Sequence, residues 1–133
     1  MCKILIVDDD PDSRSLLEAH LQRDSAEHEV VMISFRNLAI RMIQSHSFKV
    51  IISRASILIG AHSEEIDVNG GLALVKAAMD GDMETNVLLI SDGLSPTDQK
   101  AIALGDNARR VRIVPRPEVA VGELTRWGVL SLS

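Results

Sequence analysis

With 133 residues, 46% of them hydrophobic, and a formal net charge of −5, the chain has the material for one domain with a real core and lacks the basic balance of a nucleic-acid surface. Aromatic residues make up 2%, so that core must be built from Leu, Ile, Val, Ala and Met. The lone Cys2 excludes an internal disulfide, and no run approaches the ~20 apolar residues that span a bilayer; a reduced, cytoplasmic protein with no membrane contact is expected.

The first apolar run, Ile4 to Val7, is too short for a secretory signal and ends in the acids Asp8-Asp9-Asp10. Asp10 can cap a helix that has Pro11 at its first position and Asp12 favoured by the helix dipole. Leu16, Leu17 and Leu21 then share a face. Val30–Ile33 reads as a second strand. Asn37 is placed to cap a second helix with Ala39, Met42 and Ile43 inward.

Val50–Ile52 is the third strand, followed by Ser53 and Arg54. A third helix is expected over Gly71 to Met79, with Leu72, Leu74, Val75 and Ala78 available for packing. Between them lies an enlarged loop at about 56–70, where strand-to-helix connections are ordinarily ~2–6 residues. Val87–Ile90 and Val111–Val114 are the last two strands. Between them Ser95-Pro96-Thr97-Asp98 signals the start of a helix and Gly105 its end. A final helix begins near Pro117 or Glu118 and runs past Leu124 and Trp127, weakened by Gly122 and Gly128.

Continuous β-branched runs alternating with amphipathic stretches predict five β-α units, an α/β fold whose parallel sheet is buried on both faces. In such sheets ligand sites form beyond the C-terminal ends of the strands. Topology therefore gathers Asp8 and Asp9, Arg54, Ser91 and Arg116-Pro117 at one end. Asp10 and Asp12 read as helix-end acids without a site role. His20, His28, His46 and His62 lack metal-ligand spacing, and no nucleophile elbow, P-loop or dinucleotide fingerprint occurs.

The ordered set Asp8-Asp9, Ser91 after Val87-Leu88-Leu89-Ile90, Ala103-Leu104-Gly105, Arg116-Pro117 and Gly71-Leu72 resembles the receiver domain of two-component response regulators over nearly the whole chain. The resemblance implies a doubly wound five-stranded sheet in the order 2-1-3-4-5, formed by residues 1–133 as a single domain. It implies that Asp8 and Asp9 match the family's Mg2+-binding acid pair and Ser91 its switch hydroxyl. Arg116-Pro117 stands where the family has Lys-Pro. The departures are as ordered as the matches. Arg54 stands at the phosphoacceptor position, Arg116 replaces the lysine, Ile113 lies near the switch aromatic, and the chain contains no Tyr.

A guanidinium neither forms an acyl phosphate nor serves as a hard oxygen ligand, and it keeps its charge. Arg54 is therefore expected to pair with Asp9, Asp8 or both, with no metal and no cofactor. The expected function is an atypical, phosphorylation-independent receiver. It would be a protein-interaction module rather than an enzyme, meeting a kinase, an output domain or a second copy through the face of helix four, strand five and helix five. Trp127 is either an interface anchor on that face or ordinary packing. Two alternatives stand beside this: a working phosphoacceptor using Asp67 or a neighbouring loop acid, and a flavodoxin-like small-molecule binder or enzyme.

Overall fold

The computed structural model describes residues 2–23, 28–60, 65–67, 69–81, 85–91 and 110–127. The strands are β1 (Cys2–Val7), β2 (His28–Ile33), β3 (Val50–Arg54), β4 (Ile57–Leu58), β5 (Ile66–Asp67), β6 (Asn86–Ile90) and β7 (Val111–Val114). The helices are α1 (Pro11–Arg23), α2 (Arg36–Ser45), α3 (Gly70–Gly81) and α4 (Pro117–Arg126). Five strands form a parallel sheet in the order β2-β1-β3-β6-β7. Counted among the sheet's own strands, this is the expected 2-1-3-4-5 order. The helix expected between Ser95 and Gly105 lies outside the described residues.

The β-branched runs are continuous because both faces of the sheet are covered. Along β1, Ile4 and Ile6 pack with Leu17, Leu21, Ala120 and Leu124 of α1 and α4. The alternate residues, Leu5 and Val7, pack with Ala39, Ile43, Leu74 and Val75 of α2 and α3. Successive residues of β3 and β6 divide in the same way between the two cores. Burial of an aliphatic side chain such as Leu89 or Leu124, both fully enclosed, contributes ~1.5–3 kcal/mol, so the three layers are held mainly by these alternating rows. Phe48, two residues before β3, is buried with the Lys3 ammonium 5.5 Å from its ring centroid.

Two local expectations are corrected. Asn37 does not cap α2: the N-cap is Phe35, in extended backbone and without a side-chain cap bond. The Asn37 side-chain Oδ1 instead accepts from the guanidinium of Arg36. The stretch at 56–70 is also not a plain loop. It contains the antiparallel pair β4–β5, with Ile57 opposite Asp67 and Leu58 opposite Ile66. Sequence periodicity misses strands of two residues.

Register fixes the end of the sheet that matters. Val7 lies opposite Ser53, and Arg54 opposite Ile90. The chain segments leaving β1, β3 and β6 therefore emerge side by side. Helix α3 starts against this end: the Gly71 N–H donates to the Ala55 carbonyl at 2.9 Å. A Cβ at Gly71 would stand 2.7 Å from the Arg54 carbonyl oxygen and 2.9 Å from the Ala55 Cα. Glycine is required there because backbone approaches backbone.

Candidate functional site

Asp8 leaves β1 with its N–H donating to the Ile33 carbonyl at 3.1 Å, and only 1% of its surface is exposed. Its Oδ1 accepts from the Asp10 N–H at 2.9 Å, which tightens the turn into α1. Asp10 is the helix cap, with its Oδ1 accepting from the Asp12 N–H at 3.0 Å. The other oxygen of that carboxylate is left facing the sheet end.

Arg54, the last residue of β3, reaches across to both acids. Its Nε donates to Asp8 Oδ1 at 3.0 Å and its Nη2 to Asp10 Oδ2 at 3.1 Å. The expected ion pair is present at Asp8, with one difference. The guanidinium bridges two carboxylates. The second acid is Asp10, not Asp9, which is exposed and has no side-chain partner among the described residues. Asp10 is thus more than the helix-end acid that its sequence position suggests; it is both the cap and a site residue. The clue in the sequence is that a capping carboxylate uses one oxygen and leaves one free.

Ser91 follows β6, where its N–H donates to the Val114 carbonyl at 2.8 Å. It lines a small cleft of about 150 Å3 together with Arg54, Ala55, Ser56, Ile90 and Pro115. Arg116 and Pro117 do not join the cluster. Arg116 is exposed and acts through its backbone as the N-cap of α4, its carbonyl accepting from the Val119 N–H at 3.1 Å, with Pro117 opening the helix. Ile113 is half-buried against the core on the α2–α3 side of the sheet.

Asp67 is engaged elsewhere. Its Oδ2 accepts from Arg36 Nη1 at 2.6 Å and its Oδ1 from the Asn69 N–H at 2.9 Å. The Arg36 hydrogen bond holds its carboxyl below the ordinary carboxylate value, against a smaller opposing effect of burial. A larger cavity of about 630 Å3, lined by Ile43, Ser45, His46, Ala77 and Asp80 among others, lies at the other end of the sheet, beside the C-termini of α2 and α3.

A divalent cation does not fit the Asp8 site as it stands. Asp8 Oδ1 is saturated by two donors, and the guanidinium lies where a third oxygen ligand would be needed. Asp8 Oδ2 is buried with no hydrogen-bond partner among the described residues. Among those residues no group of three or more His, Cys, Asp and Glu side chains could hold a metal ion.

The sheet order and the helices on both faces define the class of fold: that of CheY-like response-regulator receiver domains. The chain is similar to the chemotaxis response regulator CheY4 of Vibrio cholerae, at 28% identity and a TM-score of 0.64 over 95% of this chain and 98% of that one. It is similar to a CheY-like receiver domain protein from Methanospirillum hungatei, at 17% identity and a TM-score of 0.68 over 96% of this chain and 93% of that one. A third likeness is to the receiver domain of a sensor histidine kinase from Pseudomonas aeruginosa, which has a magnesium ion coordinated in its active-site cleft; identity is 16% and the TM-score 0.62, over 95% of this chain and 96% of that one. No protein-family model and no curated protein matches the chain. Among the described residues no helix is long and apolar enough to cross a membrane.

Proposed function

We propose that this chain is a cytoplasmic receiver domain of two-component signalling that acts without aspartyl phosphorylation, as a protein-interaction and regulatory module rather than an enzyme. The observation that carries the proposal is the Arg54 guanidinium at 3.0 Å from Asp8 and 3.1 Å from Asp10. Arg54 closes β3 where the receiver family has its phosphoacceptor, and it has no carboxylate to phosphorylate. Its fixed charge balances the acids that a metal ion would otherwise balance. Ile113 is packed against the core, which argues against the aromatic switch movement of the family. The domain would then present one standing conformation to its partner.

Among the described residues, the usual partner face of the family corresponds to β7 and α4. A kinase, an output domain or a second copy would meet it there; Trp127 is half-buried against the α1–α4 core, as ordinary packing. The single-domain reading of residues 1–133 belongs to the same proposal. The substitute-acceptor alternative is disfavoured because both oxygens of Asp67 are engaged, by Arg36 and by the Asn69 N–H. The small-molecule alternative is disfavoured because the strand-end cleft, about 150 Å3, is well below the ~300–1,000 Å3 of ordinary ligand pockets.

The test is incubation of the purified chain with Mg2+ and acetyl phosphate, followed by intact-mass measurement beside an ordinary receiver. An unmodified mass is expected. A hydroxylamine-labile phosphoryl adduct would sink the proposal, and mapping it would identify the acid that replaced the one missing at Arg54.

A further inference from the structure

The side chain of Arg54 is aimed by a backbone that the sheet holds incompletely. The pairing of β3 with β1 stops at Ser53 opposite Val7, whereas its pairing with β6 continues to Arg54 opposite Ile90. One residue on, the Ala55 N–H donates to the Ile90 carbonyl at 3.2 Å, and the Ala55 carbonyl accepts from the Gly71 N–H at 2.9 Å. The backbone at Arg54 and Ala55 is thus fixed by β6 and by the start of α3, not by β1.

Asp67 sets where α3 starts. Its Oδ1 accepts from the Asn69 N–H at 2.9 Å, a side-chain turn that gives the chain its direction into the helix. Asn69 then opens α3, its carbonyl accepting from the Ala73 N–H at 3.2 Å. The two glycines that follow pack without slack. A Cβ at Gly70 would collide with the buried Ile57 side chain, and one at Gly71 would stand 2.7 Å from the Arg54 carbonyl oxygen. A shift at Asn69 is therefore passed to Gly71, and from Gly71 to Arg54. The other oxygen, Oδ2, ties the same carboxylate to α2, accepting from Arg36 Nη1 at 2.6 Å. Both side chains of this pair are partly shielded from solvent. Among the described residues, no hydrogen bond or ion pair links Asp67 to Arg54 directly.

We propose that Asp67 is a positioning residue for Arg54. One oxygen is anchored to Arg36 on α2 and the other shapes the entry to α3. Asp67 thereby sets Gly71 against Arg54 and Ala55, and holds the guanidinium in the orientation that bridges Asp8 and Asp10. The inference rests on the Arg54 pairing of the proposed function and deepens it: the inserted β4–β5 hairpin, which ends in Asp67, serves the site from a distance.

The test is hydrogen exchange of the Arg54 Nε–H, followed by NMR on the 15N-labelled full chain. That proton is donated to Asp8 across 3.0 Å, so its exchange reports local opening of the pair. Arg36→Met removes the anchor on α2 and leaves the Asn69 turn; because the broken pair is partly exposed, exchange should accelerate about two- to fivefold. Asp67→Ala removes anchor and turn together and should accelerate it about five- to thirtyfold. Asp67→Asn keeps an oxygen for the Asn69 N–H and should return to the Arg36→Met level. The amides of Ala55 and Gly71 should follow Arg54, and all three should accelerate more than the core amides of Leu5 and Leu88. Unchanged exchange at Arg54 in Asp67→Ala overturns the proposal, and so does equal acceleration at Arg54 and at the core amides, which would mark Asp67 as merely structural. If Asp67→Ala does not fold, Arg36→Met decides by the same two criteria. A Nε–H that exchanges freely in wild type would refute the Arg54–Asp8 pairing itself, and the proposed function together with this inference. Protection in wild type that the variants leave intact would sink this inference alone.

Discussion

Replacing Arg54 by methionine, Arg54→Met, removes the charge and keeps most of the side-chain volume. Asp8 then remains as a carboxylate with 1% of its surface exposed. It keeps one donor, the Asp10 N–H on Oδ1, while Oδ2 has none among the described residues. Breaking a fully buried ion pair from one side costs about 3–5 kcal/mol. Here the Arg54 side chain is 31% exposed and its second partner, Asp10, 45%, so water can reach the vacated side. The expected loss is therefore lower, about 1–3 kcal/mol. For a chain of this length it corresponds to a fall in Tm of roughly 3–12 °C. Urea denaturation of wild type, Arg54→Met, Asp8→Asn and the double variant gives the measurement. The double variant should lose less than the sum of the singles, because a neutral amide at position 8 no longer needs a cation. If Arg54→Met lies within about 0.5 kcal/mol of wild type, Arg54 is a solvated arginine and the charge-balance argument is refuted.

Further expectations rest on geometry of the same kind. Gly71→Ala places a Cβ 2.7 Å from the Arg54 carbonyl oxygen and should destabilise by about 1–3 kcal/mol in denaturant titration. Gly122→Ala meets nothing within 4 Å inside α4 and should stabilise by about 0.5–1 kcal/mol in the same assay. Leu124→Ala, at a fully enclosed site between α4 and the sheet, should cost about 2–5 kcal/mol. The Asp67 carboxyl is held below its ordinary value by Arg36. Its contribution is therefore present above the unfolded carboxylate pKa and is lost as pH falls through the folded one. Wild type and Asp67→Asn should accordingly differ at neutral pH, by up to about 1 kcal/mol, and converge in acid; a difference that persists below the carboxylate range would contradict the ion-pair origin.

Much of this architecture is legible in the sequence because β-branched runs such as Val50–Ile52 and Val87–Ile90 have one physical use, as strands covered on both faces. The position of Arg54 at the sheet end follows from topology. Its actual partners do not, because the choice between Asp9 and Asp10 depends on how the turn after β1 is wound. The Asp8 carboxylate draws in the Asp10 N–H, which leaves Asp9 exposed and turns the cap carboxylate of Asp10 toward Arg54. Its place after β7 groups Arg116 with the site; the structure uses its backbone to cap α4 and leaves its side chain exposed. The β4–β5 hairpin is illegible for a different reason. Two-residue strands have no periodicity, and this pair is fastened by long-range partners, Phe35 and Arg36, that local patterning does not reveal.

The most direct test of the central claim, that Arg54 occupies the charge-balancing place of a metal ion, is a Mg2+ titration followed by NMR at Asp8, Asp9 and Asp10, on wild type and on Arg54→Asp. The account predicts no saturable response in wild type, and in Arg54→Asp a saturable one accompanied by a rise in Tm with Mg2+. Tight, saturable shifts at Asp8 and Asp9 with Arg54 in place would contradict it.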